Sequence, residues 1–206
     1  MSNWRNRFGG LMLVALSPLV AQAQLFVGTG AVQSVGRDQR WDVSTNAGVT
    51  WKQAFIVSPV PGQWTAGAPG GIWIGATANG TGGGGSYRVR QQFTLGAGDA
   101  VSFNFRCAWD NVAAQVFING AQFGSNACGT SIFSYGTNQS VTQANFQTGL
   151  NDFQVRWTGD NTTDGVALEA TNLSYTPGTV VPEPASFVLL ATGLLVIGGL
   201  RARRRK

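Results

Sequence analysis

The strongest constraint in this sequence is a period of two. In residues 87–95, Tyr87, Val89, Phe93 and Leu95 alternate with Arg88, Arg90 and Gln92. In residues 101–109, Val101, Phe103, Phe105, Cys107 and Trp109 alternate with Ser102, Asn104 and Arg106. Phe153, Val155 and Trp157 alternate with Asp152, Gln154 and Arg156. Such alternation puts one face of a strand on a core and the other in water. Val116-Phe117-Ile118 and Ala121-Gln122-Phe123 flank Asn119-Gly120, the strongest short hairpin signal, because both turn residues accept positive φ. Residues 141–146 and 166–175 also suit strands. No long stretch between residues 24 and 176 keeps a 3.6 period. Short strands, polar turns and 29 Gly predict an all-β fold, an antiparallel β-sandwich or jelly roll. About 150 residues suffice for one core.

Charge is sparse and unevenly placed. Only 11% of the residues are charged, against roughly 25% in typical soluble domains. Residues 24–180 hold seven bases (Arg37, Arg40, Lys52, Arg88, Arg90, Arg106, Arg156) and eight acids (Asp38, Asp42, Asp99, Asp110, Asp152, Asp160, Asp164, Glu169). The net +5 therefore comes from the two ends of the chain, and the basic pI near 9.9 gives no argument for nucleic acid. The chain has no His, which removes the commonest general base and most zinc chemistry.

The first 23 residues have the three parts of a secretory signal: Arg5 and Arg7, an apolar run from residue 11 to 20, and a small-x-small site at Ala21 and Ala23. Residues 1–23 are expected to be removed as a signal peptide, leaving a β-domain over 24–176. Export places Cys107 and Cys128, the only cysteines, in an oxidising compartment, so they are expected to form a disulfide. A loop of that length is worth about 3 kcal/mol.

Candidate ligand-binding residues were weighed against plainer roles. Asp110-Asn111 follows a strand; such loop residues can bind sugar hydroxyls or cations, but capping their own turn is the better reading. Residues 160–165, DNTTDG, faintly echo a calcium loop, yet the third and twelfth places carry Thr162 and Thr171, so a hairpin turn is favoured and no metal is assigned. The Gly-rich run 79–86 leads into a strand and lacks a Lys, so it reads as a mobile surface loop rather than a phosphate cradle. Trp109 and Trp157 fall on apolar strand faces and are expected in the core. Trp64 and Trp73 flank a Gly/Pro-rich stretch and are the candidates for exposure and for stacking on a sugar ring. No catalytic residue and no cofactor is assigned.

The chain ends in VPEPASFVLLATGLLVIGGLRARRRK. Residues 185–200 carry no charge and suit a transmembrane helix of roughly 24 Å, short of a hydrocarbon core of about 30 Å unless the flanking basic chains snorkel. Arg201, Arg203, Arg204, Arg205 and Lys206 form a basic stop-transfer tail that stays cytoplasmic. Residues 177–180 serve as a spacer. Pro182-Glu183-Pro184, the apolar run and the basic tail, in that order over residues 181–206, resemble the PEP-CTERM sorting signal. The middle of the chain is similar in outline to the jelly-roll regions of such proteins, in Asp110-Asn111, Asn119-Gly120 and Gly149-Leu150-Asn151.

The resemblance implies a Gram-negative bacterium that makes exopolysaccharide. It also implies processing by an exosortase, a membrane protease, with passage through the inner membrane to the cell surface or extracellular matrix. The expected function is a non-enzymatic surface or biofilm-matrix protein. The alternatives are a carbohydrate-binding module holding exopolysaccharide and, behind it, a secreted hydrolase.

Overall fold

The computed structural model describes residues 26–65, 71–112, 114–130 and 132–178. The signal segment, the Pro182-Glu183-Pro184 motif, the 185–200 run and the basic tail lie outside the described residues. Among the described residues no helix is long and apolar enough to cross a membrane.

Eleven strands and one 3-10 turn (Gln143–Asn145) make up the domain. The strands are β1 (Gln33–Ser34), β2 (Arg37–Ser44), β3 (Lys52–Ile56), β4 (Ile74–Gly75), β5 (Gly85–Leu95) and β6 (Ala100–Trp109). They continue with β7 (Gln115–Ile118), β8 (Ala121–Gln122), β9 (Gln139–Val141), β10 (Gly149–Gly159) and β11 (Val166–Thr176). All pairings are antiparallel and join into one sheet in the order β8-β7-β10-β5-β2-β3-β4-β11-β6-β9, with β1 beside β2.

The alternating segments form the longest strands. β5 and β10 pair over their whole length, from Leu95 opposite Gly149 to Gly85 opposite Gly159. β6 and β11 pair from Trp109 opposite Val166 to Ala100 opposite Thr176, with an irregularity between Thr171 and Ser174 where Asn172 takes φ 53°. The Asn119-Gly120 turn has φ of 50° and 82° and closes β7 onto β8. Asn119 also ties the turn to β10, donating to Asn151 Oδ1 at 2.9 Å and accepting from the Asp152 N–H at 2.9 Å.

The sheet curls until its halves face each other. β6 and β10 stand far apart in strand order, yet Phe105 meets Phe153 edge to face at 5.2 Å. Phe26 fills the space between the halves, stacked on Phe103 at 4.1 Å and 4.7 Å from Phe153. It is fully buried, so cleavage after Ala23 retains a residue that the core needs. The inward faces of β2, β5, β6, β7, β10 and β11 supply the rest of one aromatic and aliphatic core, the main stabilising term. Trp109 and Trp157 lie in it, as their place in the alternation predicts. Cys107 and Cys128 are disulfide-bonded within the same core.

Two expectations change. Residues 141–146 are not a strand throughout: β9 stops at Val141, and the Asn145 side chain accepts the Thr142 N–H at 3.0 Å to fold a 3-10 turn. Gln143-Ala144-Asn145 offers no alternating apolar face to hold a strand. β2 and β3, poor in simple alternation, are shaped by a buried acid. Asp38 accepts the N–H groups of Gly30 (2.6 Å), Arg40 (2.8 Å) and Trp41 (3.2 Å). These bonds shape the bulged stretch between Arg37 and Asp42 where the β2–β3 register shifts. Burial raises the Asp38 pKa, against the pull of those hydrogen bonds.

Candidate functional site

Trp64, Trp73, Asp110 and Asn111 do converge, at one end of the curled sheet, but into the interior. Trp64 and Trp73 pack ring on ring at 4.1 Å and are 5% and 1% exposed. Their expected exposure is therefore not found. They form a second small core with Val57, Ala108 and Ala167, edged by Phe133 and Tyr135. The reason lies in the floor beneath them. Ala108 and Ala167 face each other across β6 and β11 on the outward side of those strands. Two adjacent methyl groups leave a shallow apolar bed that two indoles can cover. The Thr65 N–H donates to the Phe133 carbonyl at 2.9 Å, which seats the Trp64 loop.

Asp110 is 2% exposed. Its Oδ2 accepts the Trp64 indole N–H at 2.9 Å and the Thr163 hydroxyl at 3.2 Å. Asn111, at φ 82°, donates to Thr163 O at 3.0 Å and to Asp164 Oδ1 at 2.7 Å. Both residues thus join the 110–111 turn to the 160–165 turn. In the latter, Asp160 Oδ1 accepts the Thr162 N–H (3.0 Å) and hydroxyl (2.6 Å), a local turn bond of the kind expected there.

The Gly-rich run is fastened to the same node, contrary to the expectation of a mobile loop. The Asp164 N–H donates to Gly80 O at 2.7 Å and the Gly82 N–H to Thr162 O at 2.9 Å. The Gly84 N–H donates to Asn161 Oδ1, and the Tyr87 hydroxyl to Gly83 O at 2.6 Å. Glycine is required by this closeness: a Cβ at Gly82 would collide with Tyr87 Oη and Asp164 Oδ2.

Burial dominates the electrostatics of the node. It raises the Asp110 pKa, with Asp160's charge adding and the Thr163 and Trp64 hydrogen bonds opposing. It also raises the Asp164 pKa, with the Asp160 and Asp110 charges adding and Asn111 opposing. Asp164 Oδ2 is buried without a hydrogen-bond partner, and so is Trp157 Nε1. The Trp157 N–H still favours the Asp164 carboxylate, which places the two orphaned atoms near each other but outside bonding geometry. Among the described residues no three of His, Cys, Asp and Glu gather as metal ligands. Asp164 and Thr163 were not singled out from sequence, since their partners lie across the fold.

Beside the node a surface cleft of about 300 Å³ is lined by Thr45, Lys52, Ala76, Thr77, Thr81, Tyr87 and the three glycines Gly82, Gly83 and Gly84. Its one charged residue is Lys52. Hydroxyls, backbone amides and an ammonium suit a small polar ligand. The domain's last described tie is the Gly178 N–H, which donates to Asp99 Oδ1 at 2.7 Å.

Two residues further on, the chain enters a recognised segment. Residues 180–206 match the family model of the PEP-CTERM protein-sorting motif. The chain therefore carries this signal, whose implication is an exported protein targeted by an exosortase. No curated protein matches the chain. Among solved structures, the chain is similar to TmCBM61 in complex with β-1,4-galactotriose. The two are 15% identical with a TM-score of 0.40, covering 69% of this chain and 91% of that one. It is also similar to the secreted serine protease VesC from Vibrio cholerae (17% identical, TM-score 0.32, covering 56% of this chain and 23% of that one). A glycosyl hydrolase family 2 member from Bacteroides cellulosilyticus is 16% identical with a TM-score of 0.33, covering 68% of this chain and 20% of that one. At these TM-scores none of the three bears on function.

Proposed function

We propose that this protein is an exported, non-enzymatic surface or matrix protein, a jelly-roll-like β-sandwich delivered by an N-terminal signal and a C-terminal tag. The observation that carries the reading is the sorting-motif match at residues 180–206. It begins just beyond Gly178, where the domain's described contacts end. An exosortase in the inner membrane reads Pro182-Glu183-Pro184, cuts the chain near it, and frees the domain from residues 185–206. Two prolines hold that motif extended and without helix competition, the shape a protease cleft binds. The buried acids of the loop node support a non-catalytic domain, because Asp110 and Asp164 are spent on Trp64, Thr163 and Asn111.

Glu183→Ala tests the reading in cells that encode an exosortase. The expected outcome is full-length protein retained in the membrane fraction, against released wild-type domain. Equal release of the variant would overturn it. The second reading, a module that holds exopolysaccharide, has to use surfaces other than Trp64 and Trp73, since both are buried.

A further inference from the structure

The outward residues of β2, β5, β10 and β7 form a lattice on the open half of the sheet. Ser44 stands opposite Arg88, Arg88 opposite Arg156, and Arg156 opposite Gln115. In the next row Asp42, Arg90, Gln154 and Phe117 are neighbours. The guanidiniums lie flat on rings: Arg37 on Phe55 at 3.6 Å, Arg90 on Trp51 at 4.1 Å, Arg156 on Phe117 at 3.6 Å. A guanidinium stacked this way is pre-organised and keeps an edge free to fork onto a carboxylate.

The Arg88–Arg156 pair is the unusual part. Like charges directly opposite on neighbouring strands destabilise a sheet. Burial first, and then the Arg88 charge, lowers the Arg156 pKa, while Asp152 pulls the other way. Among the described residues the ion pairs are Arg90 with Asp42 and Arg106 with Glu169. Neither Arg88 nor Arg156 thus has a carboxylate at ion-pair distance. Arg88 Nε is buried without a hydrogen-bond partner. Arg156 Nε donates only to Gln154 Oε1, at 2.9 Å.

We propose that Arg88 and Arg156 together hold a carboxylate of an anionic polysaccharide laid across this face, with Gln115 and Gln154 meeting its hydroxyls. The bound anion relieves the repulsion that the empty pair carries. A polysaccharide fits better than a polyphosphate for two reasons on this surface. The rings are already covered by guanidiniums and are not free to stack on bases. Asp42 and Asp152 lie among the cations, which suits a chain with spaced carboxylates and disfavours a dense row of phosphates. The inference rests on the export reading only for the place where such a polymer is met. Binding by purified protein is measured without sorting, so the two ideas fail separately.

The test is binding of the full-length protein to immobilised polygalacturonate, at low and high salt, with neutral dextran, duplex DNA and phosphatidylglycerol vesicles as comparisons. The expected result is binding to polygalacturonate that weakens with salt, no binding to dextran, and about tenfold weaker binding for the Arg88→Gln/Arg156→Gln double variant. The double variant should melt at or above the wild-type temperature, because it removes a like-charge pair. Arg88→Lys, which keeps the charge and loses the fork, should fall between the two. Unchanged binding by both variants, equal binding to dextran, preference for DNA or vesicles, or no binding to polygalacturonate would each overturn the proposal.

Discussion

The two halves of the curled sheet share an inner pattern and differ on the outside. Inside, Tyr87, Val89, Phe93 and Leu95 of β5 and Val101, Phe103, Phe105 and Cys107 of β6 are equally buried. Outside, the β6–β11 half is roofed by Trp64, Trp73, Phe133 and Tyr135. Its one outward cation, Arg106, is paired with Glu169 and lies over the Tyr135 ring at 4.6 Å. The β5–β10 half has no such roof among the described residues and carries Arg88, Arg90 and Arg156 half-exposed. The difference shows how small outward side chains invite a cover, whereas long charged ones keep a face in water.

Truncating a ring on each half should expose that contrast most strongly. Trp73→Ala opens a cavity in the roof and is expected to cost about 3–5 kcal/mol in urea unfolding. Trp51→Ala removes a half-exposed ring that supports Arg90 and should cost about 1 kcal/mol. Comparable losses for the two would break the distinction between a covered and an open half.

A smaller effect separates the acid node from both faces. The Asp164 pKa in the folded chain is raised above its ordinary 3.8, chiefly by burial. The folded state therefore holds this proton more tightly than the unfolded state does. Its contribution to stability is fully present below 3.8 and is lost as pH rises through the raised value. Asp164→Asn keeps an oxygen for Asn111 and should flatten that part of the stability–pH curve, read by denaturation midpoints from acid to neutral pH. A wild-type slope in the variant would show that the node does not titrate as described.

The sheet was readable in the sequence where alternation was strict, as in β5, β6 and β10. There each inward residue must leave water, and the period follows from the pleat. β2 was not readable, because Asp38 occupies a buried place through three backbone N–H groups whose partners pattern alone does not reveal. Trp64 and Trp73 were misplaced because a Gly/Pro-rich neighbourhood suggested an open loop. The signal against this was the pair of alanines, Ala108 and Ala167, at outward positions where polar residues are usual, but their adjacency exists only in the β6–β11 register. The same limit hid the Arg88–Arg156 pair: each arginine was visible on its strand's polar side, and the opposition of the two was not. The sorting motif needed no fold at all, since a linear segment is read in sequence order.

That linear segment is where the functional account stands or falls. The most direct test is the intact mass of the protein recovered from the surface of cells that encode an exosortase. The account predicts a chain that has lost Arg201 to Lys206 and the apolar run before it, ending near Pro182-Glu183-Pro184. A surface protein whose mass still includes Lys206 would contradict it.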